Sequence, residues 1–302
     1  LIEVVRMLQD EKWVQEKWLP IVKDELVKRY WTDQVAKTDQ KTKSESLGYF
    51  ISKFDKFTTN LAIRNIIGQS QSSFDFREVM DKGKILIVNL SKGAIGDENM
   101  SFLGLLLVQK LLAAALSREN VAQEERKDFF FYADEFQNFT TDEFASILSE
   151  ARKYRLNLTL AHQYIGQLPE NIKSAIFGNV GTLFITRCSN EDAQFLEPQF
   201  DTYVKATDII NQSLAHYYVK MLCNNSYPGP FSLDARYGPK YPESGFDMKV
   251  NKEVASIIKN TSRLRYGRDV NIVNMDISRR ADLDKREESK PEVQGGFPPI
   301  DF

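Results

Sequence analysis

Residues 129–135 read Phe-Phe-Phe-Tyr-Ala-Asp-Glu, five mostly apolar residues followed by two carboxylates. This apolar run predicts a buried strand with Asp134 and Glu135 at its C-terminal end. The pair suits nucleotide hydrolysis, because Asp134 can hold Mg²⁺ through its water shell and Glu135 can orient or deprotonate the attacking water. A strand followed by an acidic helix N-terminus fits the residues equally well.

A second predicted strand, 157–161, ends in His162 and Gln163. A neutral amide at the tip of a neighbouring strand can sense a γ-phosphate or hold the attacking water. A polar residue that ends a strand needs no role, so both interpretations of Gln163 stay open. We expect His162 to be structural.

Arg152 lies 11 positions before Gln163. A guanidinium here can reach across a subunit interface to a phosphate. On the residues alone, however, Arg152 with Lys153 and Arg155 is better explained as a solvated basic helix C-terminus. Arg187, which follows the last predicted strand, is a further candidate of the same kind.

A glycine-rich phosphate loop of the form GxxxxGK[ST] does not occur in the sequence. In such a loop, backbone N–H groups and a lysine hold the β- and γ-phosphates. Residues 92–96 contain two glycines but continue into Asp97 and Glu98, which repel a phosphate. We therefore predict that 92–96 is a loop without a binding role.

Strands and helices alternate through the middle of the chain, which predicts a parallel sheet with helices on both faces and ligands at the carboxyl ends of its strands. Strands are expected at 84–90, 129–133, 157–161 and 181–186, and helices at 100–118, 141–153, 169–177 and from 190 onward. Residues 1–67 are expected to be helical, with a loop at 38–46 and a helix at 47–57. The signal weakens beyond residue 200, apart from one helix at 254–261, and the charged, Gly- and Pro-rich end from 279 predicts disorder.

Composition argues against a disordered chain, a disulfide-rich or zinc-binding protein and a membrane-spanning segment at 102–116. The chain of 302 residues has 42% hydrophobic and 27% charged residues, typical of a soluble globular protein. Two cysteines and two histidines argue against a disulfide framework or zinc site. The apolar stretch 102–116 is expected to be a core helix, being too short to span a bilayer. Net charge is -2, so binding of nucleic acid would need a local basic surface. A loose tract of basic residues is present but is better explained as a solvated face; it consists of Lys249, Lys252, Lys259, Arg263, Arg265 and Arg268.

The order of five segments is similar to that of the type IV secretion coupling proteins, the TraG/TraD-like conjugation ATPases related to the FtsK and HerA DNA translocases. The segments are KILIVNLSKG (84–93), FFFYADEF (129–136), EARKYRLNL (150–158), LAHQY (160–164) and GNVGTLFITR (178–187). Residues 65–84 resemble the approach to the first of these strands. The resemblance covers about residues 1–270. The Asp-Glu pair is generic to P-loop ATPases, whereas its combination with Arg152 and Gln163 is more specific.

The resemblance implies an α/β, RecA-like P-loop NTPase parallel sheet, incomplete at its N-terminal side. Residues 1–67 would belong to an inserted all-α domain, 68–270 to the ATPase domain and 271–302 to an extended or disordered tail. Asp134 and Glu135 match the Walker B pair, Gln163 the glutamine near the γ-phosphate, and Arg152 an arginine that acts in trans. The implied cofactors are ATP and Mg²⁺.

The resemblance further implies a homo-hexameric, ATP-driven DNA translocase on the cytoplasmic side of the bacterial inner membrane. Its implied partners are DNA, relaxase or relaxosome proteins and the secretion channel. The phosphate loop and its strand would precede residue 1, so we expect weak or no ATP turnover by this chain alone. Another FtsK/HerA-type ring translocase and a non-hydrolysing scaffold remain alternatives, although a scaffold has no need for Asp134, Glu135, Arg152 and Gln163.

Overall fold

The computed structural model describes residues 2–35, 37–38, 48–49, 51–54, 57–200, 203–236 and 251–281. The chain divides into two compact units, the first of 1–73 with 256–302 and the second of 74–255. The C-terminal helices thus group with the N-terminal ones. A parallel strand pair surrounded by many helices confirms the predicted α/β class.

Helices and strands are numbered in chain order. Helices α1–α13 span Ile2–Gln9, Glu11–Trp13, Glu25–Arg29, Leu61–Ile67, Phe76–Asp81, Lys92–Ile95, Asp97–Leu116, Asp142–Glu150, Glu170–Asn179, Asn190–Leu196, Ala206–Ile210, Lys252–Tyr266 and Val270–Ala281. Strands β1–β5 span Phe129–Ala133, Leu156–Leu160, Thr182–Ile185, His216–Met221 and Phe231–Asp234. Short 3-10 turns include Ser117–Asn120, Phe136–Phe139, Ala151–Tyr154 and Ile165–Gln167.

The core of the second unit lies where β1 meets α7. β1 pairs in parallel with β2, from Phe129 opposite Leu156 to Ala133 opposite Leu160. Alternate β1 side chains pack on a cluster that includes Val108 and Leu111 of α7. Residues 97–120 are long and apolar enough to cross a membrane by length and composition. Eight residues of α7 are nevertheless buried in the unit, as expected of a core helix.

The predicted strand at 84–90 is wrong, because these residues form no ladder hydrogen bonds. The alternation that suggested a strand is still present: Leu86 and Val88 line a cavity of about 840 Å³, while Ile85 and Ile87 are 91% and 84% exposed. The other walls of the cavity are β1 and α7. Both 84–90 and β1 border this cavity, and their backbone groups do not pair.

The predicted four-stranded parallel sheet is also wrong in extent. β3, predicted at 181–186, pairs antiparallel with β4, which pairs antiparallel with β5. Among the described residues these three strands form a sheet separate from β1 and β2. β4 and β5 were not predicted, although the Tyr-Tyr-Val sequence of β4 favours a strand.

Helix ends in the second unit follow local signals. α5 begins after Asp75, whose side chain accepts a hydrogen bond from the Glu78 N–H, and α10 begins after Ser189, which caps Asp192 in the same way. The helix predicted at 141–153 ends at Glu150, because the chain tightens into the 3-10 turn 151–154 and Arg155 takes a left-handed conformation with φ 55°.

The first unit is helical in the N-terminal residues that the structure describes, where Trp18 and Trp31 stack edge to face with centroids 5.4 Å apart. Residues 39–46 of the predicted loop at 38–46 and parts of the predicted helix at 47–57 lie outside the described residues. The helix predicted at 254–261 is α12. The tail expected from 271 instead begins with α13, because Val273 and Ile277 are buried and Arg280 donates to the Gly68 carbonyl and to the Glu3 carboxylate. Residues 282–302 lie outside the described part of the chain.

A buried arginine fixes the amino ends of β1 and β2. Arg118 is 0% exposed and donates to the Asp81 carboxylate at 3.0 Å and to the carbonyls of Lys127 and Tyr154 at 2.9 and 3.0 Å. Burial lowers the pKa of the Arg118 guanidinium, and the Asp81 carboxylate opposes this shift. The side chain thereby ties α5 to the residues that enter each strand.

We expect Arg118→Met to destabilise the second unit by roughly 3 kcal/mol, because two partly buried carbonyls lose their donor and Asp81 loses one of its two charged partners. Urea unfolding of the chain, followed by circular dichroism, measures the effect. Arg268→Met, at an exposed position after α12, is the matched control. Equal stability of the two variants would contradict the structural role of Arg118.

Gly104 on α7 lies in contact with the turn that follows Glu135. A Cβ added at Gly104 would stand 2.1 Å from Cδ1 of Phe139, whereas one added at Gly178, on α9, would meet nothing within 4 Å. We expect Gly104→Ala to cost about 1–3 kcal/mol through overpacking, and Gly178→Ala to gain up to about 1 kcal/mol from helix propensity. Thermal unfolding of both variants checks the prediction, and a stabilised Gly104→Ala variant would contradict it.

Candidate active site

The carboxyl ends of β1 and β2 bring Glu135 and Gln163 together. Because the two strands are parallel, the residues that follow Ala133 and Leu160 emerge at the same edge. Gln163 Nε2 donates to Glu135 Oε1 at 2.6 Å. Asp134 is exposed at the same edge. The structure thus brings together three of the four residues selected from the sequence.

Glu135 has a left-handed backbone, with φ 51° and ψ 42°. This conformation costs a non-glycine residue roughly 1 kcal/mol. Neighbouring groups hold it: the Glu135 N–H donates to Asp134 Oδ1 at 3.0 Å, and Asn138 Nδ2 donates to the Glu135 carbonyl at 3.0 Å. The Phe136 N–H donates to the Ala161 carbonyl at 3.1 Å, which fastens the turn to the end of β2. A locally unfavourable backbone that its surroundings maintain is frequent at functional sites.

The Glu135 carboxylate accepts a second amide, because Gln137 Nε2 donates to Oε2 at 2.6 Å. Hydrogen bonds from Gln137 and then Gln163 lower the pKa of Glu135, and the nearby Lys92 and His162 add smaller effects in the same direction. The side chain is ionised at neutral pH, as a proton acceptor requires. Gln137 was missed in the sequence, where its only signal is its place two residues after Glu135.

His162 and Asp192 support the loop that carries Gln163. The His162 ring stands edge-on to Phe136, with centroids 5.4 Å apart, and burial lowers its pKa, which favours the neutral imidazole. The buried Asp192 carboxylate accepts a hydrogen bond from the Ile165 N–H at 3.2 Å. The loop is thus anchored on both sides of Gln163.

Lys92 was assigned to a loop without a role, and here the structure differs. Residues Lys92–Ile95 form the short helix α6, and Lys92 lines the same cavity as Asp134, Glu135 and Gln163. Lys92 Nζ forms an ion pair with Asp97 at 3.0 Å. The acidic residues after Gly96, taken as a sign against phosphate binding, therefore pair partly with this lysine.

Arg152 does not join this site within one chain. It lies in the turn 151–154, and the Phe129 N–H donates to the Arg155 carbonyl at 2.9 Å, so the turn is at the amino ends of β1 and β2. Five strand residues at about 3.3 Å each separate it from Glu135 by roughly 16 Å. Arg152 is exposed and makes no ion pair with the residues described. Arg187, the other candidate of this kind, is exposed just after β3, and β3 belongs to the antiparallel sheet and not to the β1–β2 pair.

The residues at this edge suit Mg²⁺ held largely through water. Asp134 is exposed, and one of its oxygens accepts the Glu135 N–H. No group of three or more potential metal ligands occurs among the described residues. Mg²⁺ commonly binds through one or two carboxylates, several waters and substrate phosphates, so the donor set fits that mode.

A comparison with solved structures returns matches to coupling proteins of conjugation. Two solved structures of the plasmid coupling protein TrwB, in complex with the non-hydrolysable analogues GDPNP and ADPNP, each match with 14% identity and TM-score 0.48, covering 78% of this chain and 63% of theirs. The unbound bacterial conjugative coupling protein TrwBdeltaN70 matches with 16% identity and TM-score 0.36, covering 46% of this chain and 39% of that one. The chain thus spans less than two thirds of these proteins.

A search of curated proteins finds no match. The sequence pattern of one family, described as type IV secretory system conjugative DNA transfer, matches residues 7–194. This match covers more than half of the chain and includes Asp134, Glu135, Arg152 and Gln163. The chain therefore belongs to the type IV secretory system conjugative DNA transfer family.

Proposed function

We propose that this chain forms part of a homo-hexameric ATPase that moves DNA toward a type IV secretion channel. The observation that carries the proposal is the contact between Glu135 and Gln163, which joins a carboxylate and an amide at the carboxyl ends of adjacent parallel strands. Ligands of parallel α/β sheets bind at this edge. Family membership supplies the connection to conjugative DNA transfer.

In the proposed reaction, water attacks the γ-phosphorus of ATP and the bond to ADP breaks. Glu135 Oε1 takes the water proton, for which its ionised state suits it. Gln163 turns its amide toward the γ-phosphate, and Asp134 orients the waters around Mg²⁺. Mg²⁺, when bound, neutralises charge on the β- and γ-phosphates. Because the sequence lacks GxxxxGK[ST], we propose that a phosphate loop outside this sequence holds them.

The position of Arg152 supports a role in trans. It is roughly 16 Å from Glu135 along the strands, too far for both to reach one γ-phosphate within a single chain. Its side chain is exposed and without an ion pair in the described part of the molecule, so it is available to a neighbour. We propose that Arg152 contacts the nucleotide bound to the adjacent subunit of a ring, as trans-acting arginines do.

The proposed partners follow from the family. They are DNA, relaxase or relaxosome proteins and the secretion channel, on the cytoplasmic side of the inner membrane. α12 and the turn after it offer a surface for DNA phosphates, because their cations are exposed and form no ion pair among the described residues; these are Lys252, Lys259, Arg263, Arg265 and Arg268. Lys249 lies outside the described residues.

The missing phosphate loop favours a second candidate, a non-hydrolysing scaffold with an ATPase-like fold. The two candidates differ in one measurable property of the full-length protein, which is ATP turnover. A scaffold shows none with or without DNA, whereas the translocase hydrolyses ATP and DNA stimulates it.

We expect Glu135→Gln in the full-length protein to lower ATP turnover by at least about 100-fold while nucleotide affinity changes by less than about threefold, because the proton acceptor is lost but the phosphate contacts remain. Steady-state hydrolysis and binding of a fluorescent ATP analogue provide the two measurements. Glu124→Gln, at an exposed position before β1, is the control. A fully active Glu135→Gln protein would contradict the assignment.

The trans role of Arg152 predicts complementation between two inactive variants. We expect Arg152→Ala to lower turnover strongly, whereas Lys153→Ala does not. Mixing Arg152→Ala subunits with Glu135→Gln subunits should restore activity at about a quarter of the interfaces in a random ring, where an intact Glu135 meets an intact Arg152. Turnover is measured against the mixing ratio. No recovery at any ratio would rule out action across the interface.

A further inference from the structure

Both oxygens of the Glu135 carboxylate are occupied by side-chain amides. Gln137 Nε2 donates to Oε2 and Gln163 Nε2 donates to Oε1, each at 2.6 Å. Charge-assisted hydrogen bonds of this kind are roughly twice as strong as neutral ones. With both oxygens bonded, the carboxylate is fixed in orientation, but neither oxygen is fully free to accept a proton from water.

The two amides have different supports. Gln137 lies in the turn Phe136–Phe139, which is held by Phe136, 2% exposed in the core, and by Phe139 against Gly104. Its hydrogen bond to Glu135 is partly buried. Gln163 is exposed in the loop after β2, and so is its bond to Glu135. Breaking the Gln163 bond exposes both partners to water at little cost, whereas breaking the Gln137 bond strands a partly buried donor.

The oxygen of the Gln137 side-chain amide has no hydrogen-bond partner in the described part of the chain. Gln137 Oε1 is buried and has no hydrogen-bond partner among the described residues. A buried acceptor without a partner costs about 1–3 kcal/mol. The side chain therefore contributes less to stability than a fully paired amide would, and its amide makes one hydrogen bond among the described residues, the one to Glu135.

We propose that Gln137 is the positioning residue of Glu135, and that Gln163 is the exchangeable partner. Gln137 holds Oε2 throughout the cycle. When Gln163 turns to a γ-phosphate, Oε1 becomes free and already faces the nucleotide edge. The inference rests on the proposed function, since it concerns how the same carboxylate is readied for hydrolysis.

The chemical step divides between the two oxygens. The water oxygen bonds to the γ-phosphorus while its proton passes to Oε1, and the electron pair of the broken P–O bond leaves with ADP. Gln137 neither gains nor loses a proton, so its contribution is orientation. Misplacement of a catalytic group by about 1 Å costs roughly 100-fold in rate, which bounds the effect of losing this contact.

The test uses the full-length protein with Gln137→Glu and Gln137→Ala. Gln137→Glu preserves the size of the side chain but replaces the donor with an acceptor, so a packing role would survive it and a positioning role would not. We expect both variants to lower kcat roughly 10- to 100-fold, with KM for ATP within about twofold of wild type. The control is Gln194→Glu, an exposed glutamine on α10.

A double-mutant cycle adds a second criterion. If Gln137 acts only through Glu135, then Gln137→Ala should lower residual turnover no further in a Glu135→Gln background. Normal kcat in Gln137→Glu, or independent losses from the two substitutions, would overturn the proposal. A wild-type full-length protein without turnover would overturn the proposed function itself, whereas an active wild type with an unaffected Gln137→Glu variant would overturn the role of Gln137 alone.

A structural readout on the present chain does not depend on turnover. In ¹⁵N-labelled protein, we expect Glu135→Ala to shift the side-chain amide signals of both Gln137 and Gln163, and Gln137→Ala to shift the Gln163 signal as well, because it releases the carboxylate that Gln163 contacts. The remaining dispersion of the spectrum reports whether each variant is folded. A Gln137 amide signal that ignores Glu135→Ala would show that the contact does not exist in solution and would overturn the proposal.

Discussion

The parallel pairing of β1 with β2 is the constraint on which the rest of the second unit depends. Its register sets Ala133 beside Leu160, so Glu135 and Gln163 emerge at one edge within hydrogen-bonding distance. The same register places Arg152 at the other edge. One five-residue ladder thus assembles the carboxylate and amide and also keeps the arginine away from them. Burial of alternate β1 side chains on α7 prevents a one-residue slip, which would reverse both faces.

Each end of this ladder has its own anchor. At the amino end, Arg118 replaces water for the carbonyls that lead into the strands, and Asp81 compensates its buried charge. At the carboxyl end, Phe136 fills the core beneath the turn that carries Gln137. The polar site therefore rests on apolar and buried contacts, which is the arrangement that fixes catalytic groups within a fraction of an ångström.

Local sequence patterns predicted the strands and helices whose formation depends on neighbouring residues in the chain. The apolar run 129–133 and the alternation of strands with helices identified β1, β2, β3 and most helices. This worked because buried positions recur with the period of the strand or helix that carries them. Partners of strands depend on distant residues, so the pattern at 84–90 suggested a ladder that does not form, and the antiparallel β3–β4–β5 sheet was not foreseen. The sequence pointed to Asp134, Glu135 and Gln163 as site candidates because they follow the ends of predicted strands. Gln137 and Lys92 follow no periodic pattern. The structure identifies Gln137 by its hydrogen bond to Glu135, and Lys92 by its position in the wall of the cavity.

The left-handed backbone at Glu135 has a consequence for how this position varies. Glycine, and to a lesser degree asparagine, adopts such a conformation more easily than glutamate does. Replacement by either would relax the turn and at the same time delete the acid. Selection for a more stable fold and selection for the proposed proton acceptor therefore favour different residues at position 135. A library screened only for thermal stability would tend to enrich variants that have lost this carboxylate.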